Sequence, residues 1–217
     1  MNKRNITKKL AQLKKQPLII DYVENYSLLS TGNHEDVNAY DFILNDETNN
    51  KLILRQTQRG DGSVHVLFML ITPKGKYVNV KRIYEKNNSP VQAYCMESSK
   101  QWKFKFDGEV IYYSKNNQER HHLKLAATFN SEEPIIDMKT SLNEETVVEK
   151  LRVSKAEQKR FNSEDIRDQV SYHQQGYAFA DITIDEIATK IESKAIRKHR
   201  IGKSSLQNLF KVLNTSH

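Results

Sequence analysis

Hydrophobic and polar residues alternate along much of the chain between residues 101 and 185, and alternation is the period of β-strands. In the run Gln-Trp-Lys-Phe-Lys-Phe, the rings of Trp102, Phe104 and Phe106 share one face, and the lysines share the other. The run from His121 to Phe129 alternates in the same way. The pattern predicts strands of an antiparallel sheet with one buried and one solvated face.

A tight turn is predicted at Asp107-Gly108, because this dipeptide accepts the positive φ angles of a two-residue hairpin. Residues Val110 to Tyr113 are β-branched and aromatic, so they are expected to form the return strand. Further turns are predicted at 59–62 and 73–75, which contain glycine. Together these signals favour an antiparallel meander.

The strands that flank these turns, and two strands near the C-terminus, follow the same rules. The predicted ranges are Lys51–Gln56, Val64–Ile71, Tyr77–Arg82, Tyr177–Ile184 and Ile187–Ala195. Ile184, Ile187 and Ile191 also fit one stripe of a helix, which leaves the last range open between strand and helix.

Residues 141–169 break the alternation: they are rich in charged residues and glutamine and contain neither glycine nor proline. This composition predicts helix, and Ser154 and Glu157 have the spacing of a capping box. Apolar residues recur with helical spacing near both ends of the chain. The fold class is therefore mainly β: an antiparallel sheet or partial barrel with a helical insertion at about 141–169 and helical tails.

The order of these segments resembles a known family. A Trp-x-Phe-x-Phe-Asp-Gly strand from Trp102, a Leu-x-Leu-x-x-x-Phe strand from Leu123, a Pro-Ile-Ile-Asp segment from Pro134, a charged helical stretch and an Ile-Thr-Ile-Asp strand from Ile182 follow one another. This order is similar to the lipocalin-like (calycin) domain of the hydroxyneurosporene-synthase-like superfamily, and most similar to the N-terminal region of animal phosphoenolpyruvate-synthase-like proteins. The resemblance covers about residues 40–202 and implies a lipocalin-like sheet or barrel.

Two polar motifs of that family are matched in part. The matching positions are Tyr172, Gln174, Gly176, Arg197, His199 and Gly202. The resemblance makes His199, Arg197 and Tyr172 candidate catalytic residues. The chain departs from the family at Lys198, where the family has an acid, and at Arg200, where it has a hydroxyl. Without a carboxylate beside His199, proton transfer lacks an orienting group, so we do not expect an active enzyme.

The resemblance also implies an apolar cavity, for which the candidate ligand-binding residues are Phe68, Trp102, Phe104 and Leu125. In the family, a second lipocalin-like half follows, and phosphoenolpyruvate-synthase-like members continue into nucleotide-binding and phosphohistidine domains. This chain ends fifteen residues after Gly202 and has no glycine-rich phosphate loop. We therefore expect a truncated relative that binds no cofactor, and a homo-oligomer or a partner that completes the sheet.

The net charge of +7 is concentrated at the two ends. Residues 1–16 and residues 190–217 each carry a net charge of +6, which leaves −5 for the residues between them. The expected organisation is a basic N-terminal tail or short helix at 1–20, a lipocalin-like β domain at 38–202 and a basic C-terminal helix or tail at 203–217. Nucleic acid is expected to bind, if at all, through these basic tails.

Several classes of protein and site are not expected. The apolar runs are shorter than a membrane span or a signal-peptide core. The single cysteine, Cys95, agrees with a reducing compartment, so an intracellular, cytoplasmic location is predicted. A metal site is not expected, because His121 and His122 point to opposite faces of one strand, and neither His173 nor His199 has a ligand at suitable spacing.

Three functional hypotheses follow. The first is a non-catalytic lipocalin-like module that binds an apolar small molecule or serves as an accessory domain. The second is a diverged hydratase-like enzyme that acts on an isoprenoid or lipid. The third is a basic-tailed protein that associates with nucleic acid, with affinity that falls steeply with salt.

Overall fold

The chain forms a mainly β structure whose computed structural model describes residues 2–28, 30–115 and 117–214. Within these ranges the strands are β1 (Asp36–Asn45), β2 (Lys51–Arg59), β3 (Ser63–Thr72), β4 (Gly75–Asn79), β5 (Ile83–Glu85), β6 (Val91–Glu97), β7 (Gln101–Tyr113), β8 (Gln118–Asn130), β9 (Ile136–Asp137), β10 (Val170–Ile184) and β11 (Ile187–Lys203). The helices are α1 (Lys3–Lys14), α2 (Ile20–Glu24), α3 (Glu144–Val153), α4 (Lys155–Asn162) and α5 (Ser204–Asn214), with 3-10 turns at Lys86–Asn88 and Glu164–Ile166. Met1 and residues 215–217 of the predicted tails lie outside the described residues.

The sheet closes into a barrel. In the described ranges the hydrogen-bonded order is β11-β1-β2-β3-β4-β7-β8-β10, and β10 pairs with β11 to complete a ring of eight antiparallel strands. Strands β5, β6 and β9 lie off this ring and pair with β3, β7 and β10. The prediction of a mainly β, antiparallel fold is confirmed, and the sheet, which was predicted as a sheet or partial barrel, closes by pairing within this chain.

The hairpin turn predicted at Asp107-Gly108 is wrong. Strand β7 passes through both residues without interruption, and its hairpin partner β8 begins only at Gln118. At this point β7 exchanges neighbours: Phe106 pairs with β6, whereas Val110 pairs with β4. Phe106, Gly108 and Val110 keep the same face, so the alternation continues across the dipeptide. Long-range pairing on both sides of the strand overrides the local turn preference.

The structure decides two questions that the sequence left open: whether the last predicted range is a strand or a helix, and how the helical insertion is divided. The last predicted strand is a strand: β10 and β11 form one long hairpin, in which Asp185 and Glu186 have positive φ angles of 44° and 77°. The helical insertion is two helices, and they are separated at Ser154. The Ser154 side chain accepts a hydrogen bond from the Glu157 backbone N–H, so the predicted helix start is confirmed.

The first and last helices belong to a helical layer beside the barrel. The buried apolar faces of α1 and α5 pack with those of α3 and α4 around a second core. Its members are Ile6, Leu10, Leu13, Leu142, Val147, Val148, Leu151, Phe161, Ile166, Leu209, Phe210 and Leu213. The terminal segments are therefore packed helices, of which α1 is basic, whereas α5 carries Lys211 as its one basic residue and the other C-terminal cations lie on β11. No helix in the described part of the chain is long and apolar enough to cross a bilayer.

Aromatic side chains fill the middle of the barrel. The ring of Phe42 stacks on Phe104 with centroids 4.7 Å apart, and Phe68 stacks on Phe106 at 4.3 Å. These rings are at most 1% exposed, and Leu125 is 3% exposed. The alternation therefore directs its apolar residues into a packed interior, as expected of inward-facing positions in a small barrel.

Candidate functional site at the barrel end

The inward-facing positions of three neighbouring strands change from apolar to polar near one end of the barrel. In β1, Asn38 precedes the buried residues of the core on the same face. In β10, Tyr172 and Gln174 point inward, and in β11, Arg197 and His199 do so. The antiparallel register places Tyr172 beside His199 and Gln174 beside Arg197. We call this set, together with Glu24, the barrel-end cluster.

An ion pair without solvent exposure lies at the centre of the cluster. Arg197 Nη2 donates to Glu24 Oε1 at 2.6 Å, and both side chains are 0% exposed. The same carboxylate accepts from the Ser99 backbone N–H at 2.6 Å, from the Tyr172 hydroxyl at 3.1 Å and from Cys95 Sγ at 3.6 Å. Such multiple donors are what a buried carboxylate needs to offset its lost hydration.

The cluster continues as a chain of hydrogen bonds away from the ion pair. Asn38 Nδ2 donates to the Tyr26 carbonyl and to the Tyr40 hydroxyl, so Asn38 Oδ1 accepts from His199 Nε2 at 2.7 Å. His199 Nδ1 is then an acceptor, 2.9 Å from the Tyr172 hydroxyl, whose single proton is donated either to this nitrogen or to the Glu24 carboxylate. That hydroxyl also accepts from Arg197 Nη1 at 3.2 Å. The network fixes one tautomer of His199.

Burial decides the protonation states of the titrating groups. Desolvation lowers the pKa of His199 well below its ordinary value of 6.5, and the charges of Arg197 and Arg200 lower it further. Desolvation also raises the pKa of the Tyr172 hydroxyl, although Arg197 opposes this effect. At neutral pH, His199 is therefore uncharged, and Tyr172 keeps its proton.

Two donors in this region have no acceptor among the described residues: Arg197 Nε and Trp102 Nε1. The Arg197 guanidinium lies 4.9 Å from the Trp102 ring centroid, within the range of cation–π attraction. The ring of Tyr40 stacks on the His199 imidazole at 4.2 Å. The cluster is therefore a charged centre with aromatic walls and a surplus of buried N–H donors.

Gln174 and two glycines position the cluster. Gln174 Oε1 accepts from Arg197, and its Nε2 donates to the backbone carbonyls of Ser99 and Glu133. A Cβ at Gly176 would lie 2.3 Å from the Asn130 carbonyl oxygen, so the strand needs glycine there. Gly202 has a φ of +125°, and a Cβ there would lie 2.2 Å from Gln169 Oε1.

The segment that contains Glu24 covers this end of the barrel. The backbone hydrogen bonds of α2 in the described residues are local, such as that from Val23 N–H to the Ile19 carbonyl. Val23 packs on Tyr172 and Ile201. Solvent reaches both sides of the segment: a cleft of about 670 Å³ adjoins Leu18 and Ile20, and one of about 620 Å³ adjoins residues 16–26. A short, locally bonded helix thus separates the cluster from water.

The structure brings together four of the six matched motif residues: Tyr172, Gln174, Arg197 and His199. Glu24 and Asn38 complete the cluster but were missed by the sequence reasoning. Asn38 had a signal, since it is a polar residue on the face of β1 whose next members, Tyr40, Phe42 and Leu44, are aromatic or apolar. Glu24 had none, because a side chain in a five-residue helix is placed by packing alone.

Of the predicted ligand-binding residues, Trp102 lies against the Arg197 guanidinium, whereas Phe68, Phe104 and Leu125 belong to the packed interior. None of the four lines the clefts. His121 and His122 contact different aspartates, Asp185 and Asp107. His173 points outward, with Nδ1 3.3 Å from Met138 Sδ.

In residues 2–28, 30–115 and 117–214, no three histidine, cysteine or acidic side chains form a group that could hold a metal ion. Comparisons of the chain with family models, curated proteins and solved structures gave no match. Interpretation of the cluster therefore depends on its geometry and chemistry.

Proposed function

We propose that the protein is a non-catalytic binding module that recognises the carboxylate of an apolar acid at the barrel end, and that Glu24 occupies the carboxylate position when no ligand is bound. One observation carries this proposal. The Glu24 carboxylate is fully buried against Arg197, Ser99 N–H and the Tyr172 hydroxyl, yet it belongs to a short helix with only local backbone hydrogen bonds.

Energetics support Glu24 as an intramolecular stand-in for a ligand. A buried ion pair is poor at stabilising a fold, because the desolvation of both charges offsets their attraction. If a free carboxylate can replace Glu24, Arg197 can bind a ligand. Two packed apolar side chains in place of this ion pair could not do so. Arginine, which presents several donors in a planar fork, is well suited to binding a carboxylate.

The surroundings favour an acid with an apolar body. Trp102, Tyr172 and Phe129 provide ring faces around the guanidinium. Movement of the α2 segment would also uncover the apolar surface beneath Val23. Because stacked rings fill the middle of the barrel, we propose that the apolar body of the ligand lies at the barrel end, next to the flanking clefts.

The test is titration with a fluorescent fatty acid, measured for the wild-type protein and for Glu24→Ala. Removing the competing carboxylate is expected to tighten binding by about tenfold or more, since an intramolecular competitor reduces apparent affinity by the fraction of protein that it blocks. Asp21→Ala is the matched control, because Asp21 is an exposed acid on the same helix. The methyl ester of the probe is expected to bind weakly to both proteins.

Tyr172→Phe separates binding from folding, because it removes one donor to the carboxylate and keeps the buried ring. We expect it to weaken the binding of the acid by about three- to tenfold, the effect of one hydrogen bond. Equal binding of acid and ester, or equal affinity of Glu24→Ala and Asp21→Ala, would contradict the proposal.

A second candidate is hydratase-like chemistry on an isoprenoid or lipid alkene, as the resemblance to hydroxyneurosporene-synthase-like proteins implies. It is favoured by the direct contact between the Tyr172 hydroxyl and His199 Nδ1, with Glu24 as a carboxylate close by. The pKa directions oppose it, because His199 stays neutral and Tyr172 keeps its proton, so neither is a strong acid. Incubating an isoprenoid alkene with the protein in ¹⁸O-labelled water tests it: a labelled alcohol supports catalysis, and unchanged alkene rejects it.

A further inference from the structure

A second polar region lies on the outer wall of the barrel, where α5 crosses β1, β10 and β11. A cleft of about 520 Å³ separates the helix from these strands. Its lining includes the charged side chains of Asp41, Arg55, Lys198, Arg200 and Lys211. Four cations and one carboxylate give the lining a surplus of three positive charges.

Strand register explains why these charges lie together. Lys198 is paired with Asp41 on one side and with His173 on the other, and Asp41 is paired with Arg55. Side chains of residues paired in this way point to the same face, with Cβ atoms about 5 Å apart. A row of outward-facing polar side chains therefore crosses four adjacent strands, and those of Arg55, Asp41 and Lys198 are charged.

The one carboxylate of the cleft is shared by two arginines. Arg55 Nε and Nη2 lie 2.5 and 3.2 Å from the two oxygens of Asp41, and Arg200 Nη2 lies 3.2 Å from both oxygens. A single negative charge neutralises only one guanidinium. The second guanidinium leaves net positive charge at the bottom of the cleft.

Lys198 adds a cation that has no acceptor among the described residues, although it is only half exposed. Its neighbour His173 adds no negative charge that could neutralise it: burial lowers the pKa of His173, and the charge of Lys198 lowers it further. Lys211 approaches the same cleft from α5. Amines and guanidinium groups that converge in this way are typical of sites that bind a doubly charged oxyanion.

We infer that the cleft between α5 and the barrel wall binds the phosphate group of a small molecule. The cleft is large enough for a phosphomonoester, and the surplus of charge in its lining exceeds what a single carboxylate would need. The site is separate from the barrel-end cluster, because Lys198 and Arg200 point outward from β11, whereas Arg197 and His199 point inward.

The inference is tested by calorimetric titration with AMP, adenosine and inorganic phosphate, using the full chain. AMP and phosphate are expected to bind, and adenosine is not. Lys198→Ala is expected to weaken AMP binding by about tenfold, the effect of one charge-assisted hydrogen bond. Lys194→Ala is the matched control, since Lys194 is an exposed lysine on the same face of β11 but outside the cleft; it should change the affinity by less than about twofold.

Lys211→Ala is a second variant, on α5. Because Lys211 is exposed, this substitution is not expected to disturb folding. Equal affinities for AMP and phosphate would identify the phosphate alone as the recognised group, and tighter AMP binding would indicate a larger phosphomonoester. The inference is overturned if neither AMP nor phosphate binds, or if Lys198→Ala and Lys194→Ala weaken binding equally. Binding of RNA alone, reduced equally by both variants, would also overturn it and would indicate a diffuse basic surface.

Discussion

The middle and the end of the barrel interior are equally buried but chemically opposite. In the middle, Phe42, Phe68, Phe104 and Phe106 form stacked pairs without polar groups. At the end, Arg197 and its partners form a charged, hydrogen-bonded network with aromatic walls. The first region stabilises the fold by removing apolar area from water. In the second region, the attraction between Arg197 and Glu24 stabilises the fold only after it has offset the free energy lost when both charges are removed from water.

A function is therefore expected at the polar end of the barrel interior. A barrel of this size can be filled with apolar residues, as its middle shows. A charged network at one end therefore has a role other than filling space, and the orphaned donors of Arg197 and Trp102 suit an additional acceptor. Variants in each of the two regions test this distinction.

The largest effect is expected from Phe104→Ala in the apolar middle. It removes a ring that stacks on Phe42 and should lower the free energy of unfolding by about 3–5 kcal/mol, through lost burial and a cavity. Denaturant unfolding measures this. Lys103→Ala, on the outward face of the same strand, should change it by less than about 0.5 kcal/mol. A loss below about 1 kcal/mol for Phe104→Ala would show that the middle is not tightly packed.

A different pattern is expected at the polar end. Arg197→Met leaves the Glu24 carboxylate buried without its cation and should lower the free energy of unfolding by about 3 kcal/mol. Adding Glu24→Gln should recover much of this loss, because no uncompensated charge remains. The double-mutant cycle is measured by denaturant unfolding. Additive losses would mean that the two residues act as independent packing groups, like those of the middle.

The pH dependence of stability is expected to come from His199. Its pKa in the folded protein lies well below the unfolded value of about 6.5, so the unfolded chain binds more protons as the pH falls. The contribution of His199 to the free energy of unfolding is fully present above about pH 6.5. It is lost as the pH falls towards the pKa of His199 in the folded protein. Between pH 7.5 and 5.5 the loss should be about 1 kcal/mol.

His199→Asn should remove that part of the pH dependence, as measured by unfolding at both pH values. His122→Asn, at an exposed position, is the control and should keep the wild-type difference. An unchanged difference in His199→Asn would mean that the imidazole is not held neutral by burial.

The smallest effect is expected on the rate at which the Cys95 thiol is alkylated. Burial and the Glu24 carboxylate raise the pKa of the Cys95 thiol to about 11, so alkylation by iodoacetamide at neutral pH should be slow. Glu24→Ala should accelerate it, because the α2 segment loses its anchor and the thiol loses a neighbouring negative charge. Mass spectrometry of timed samples measures the rate. Equal rates in Glu24→Ala and Asp21→Ala would argue that the segment stays in place without its ion pair.

Much of the fold is predictable from local pattern. Alternation in Trp102, Phe104 and Phe106 identifies an inward face, and the Ser154 cap identifies a helix start, because both depend on residues near one another in the chain. The same reasoning fails at Asp107-Gly108. There, the preference of a dipeptide for a turn is weaker than the ladder that β7 forms with its neighbours.

Residue patterns alone were enough to predict the mainly β class and the helical insertion, whereas the inward direction of Tyr172, Gln174, Arg197 and His199 is known only from the fold. Only the tertiary structure decided that the barrel closes between β10 and β11, and that the carboxylate beside Arg197 comes from Glu24. The physical reason is distance along the chain. Periodicity reports which face a residue occupies, whereas a contact between residues 173 positions apart depends on how whole elements pack.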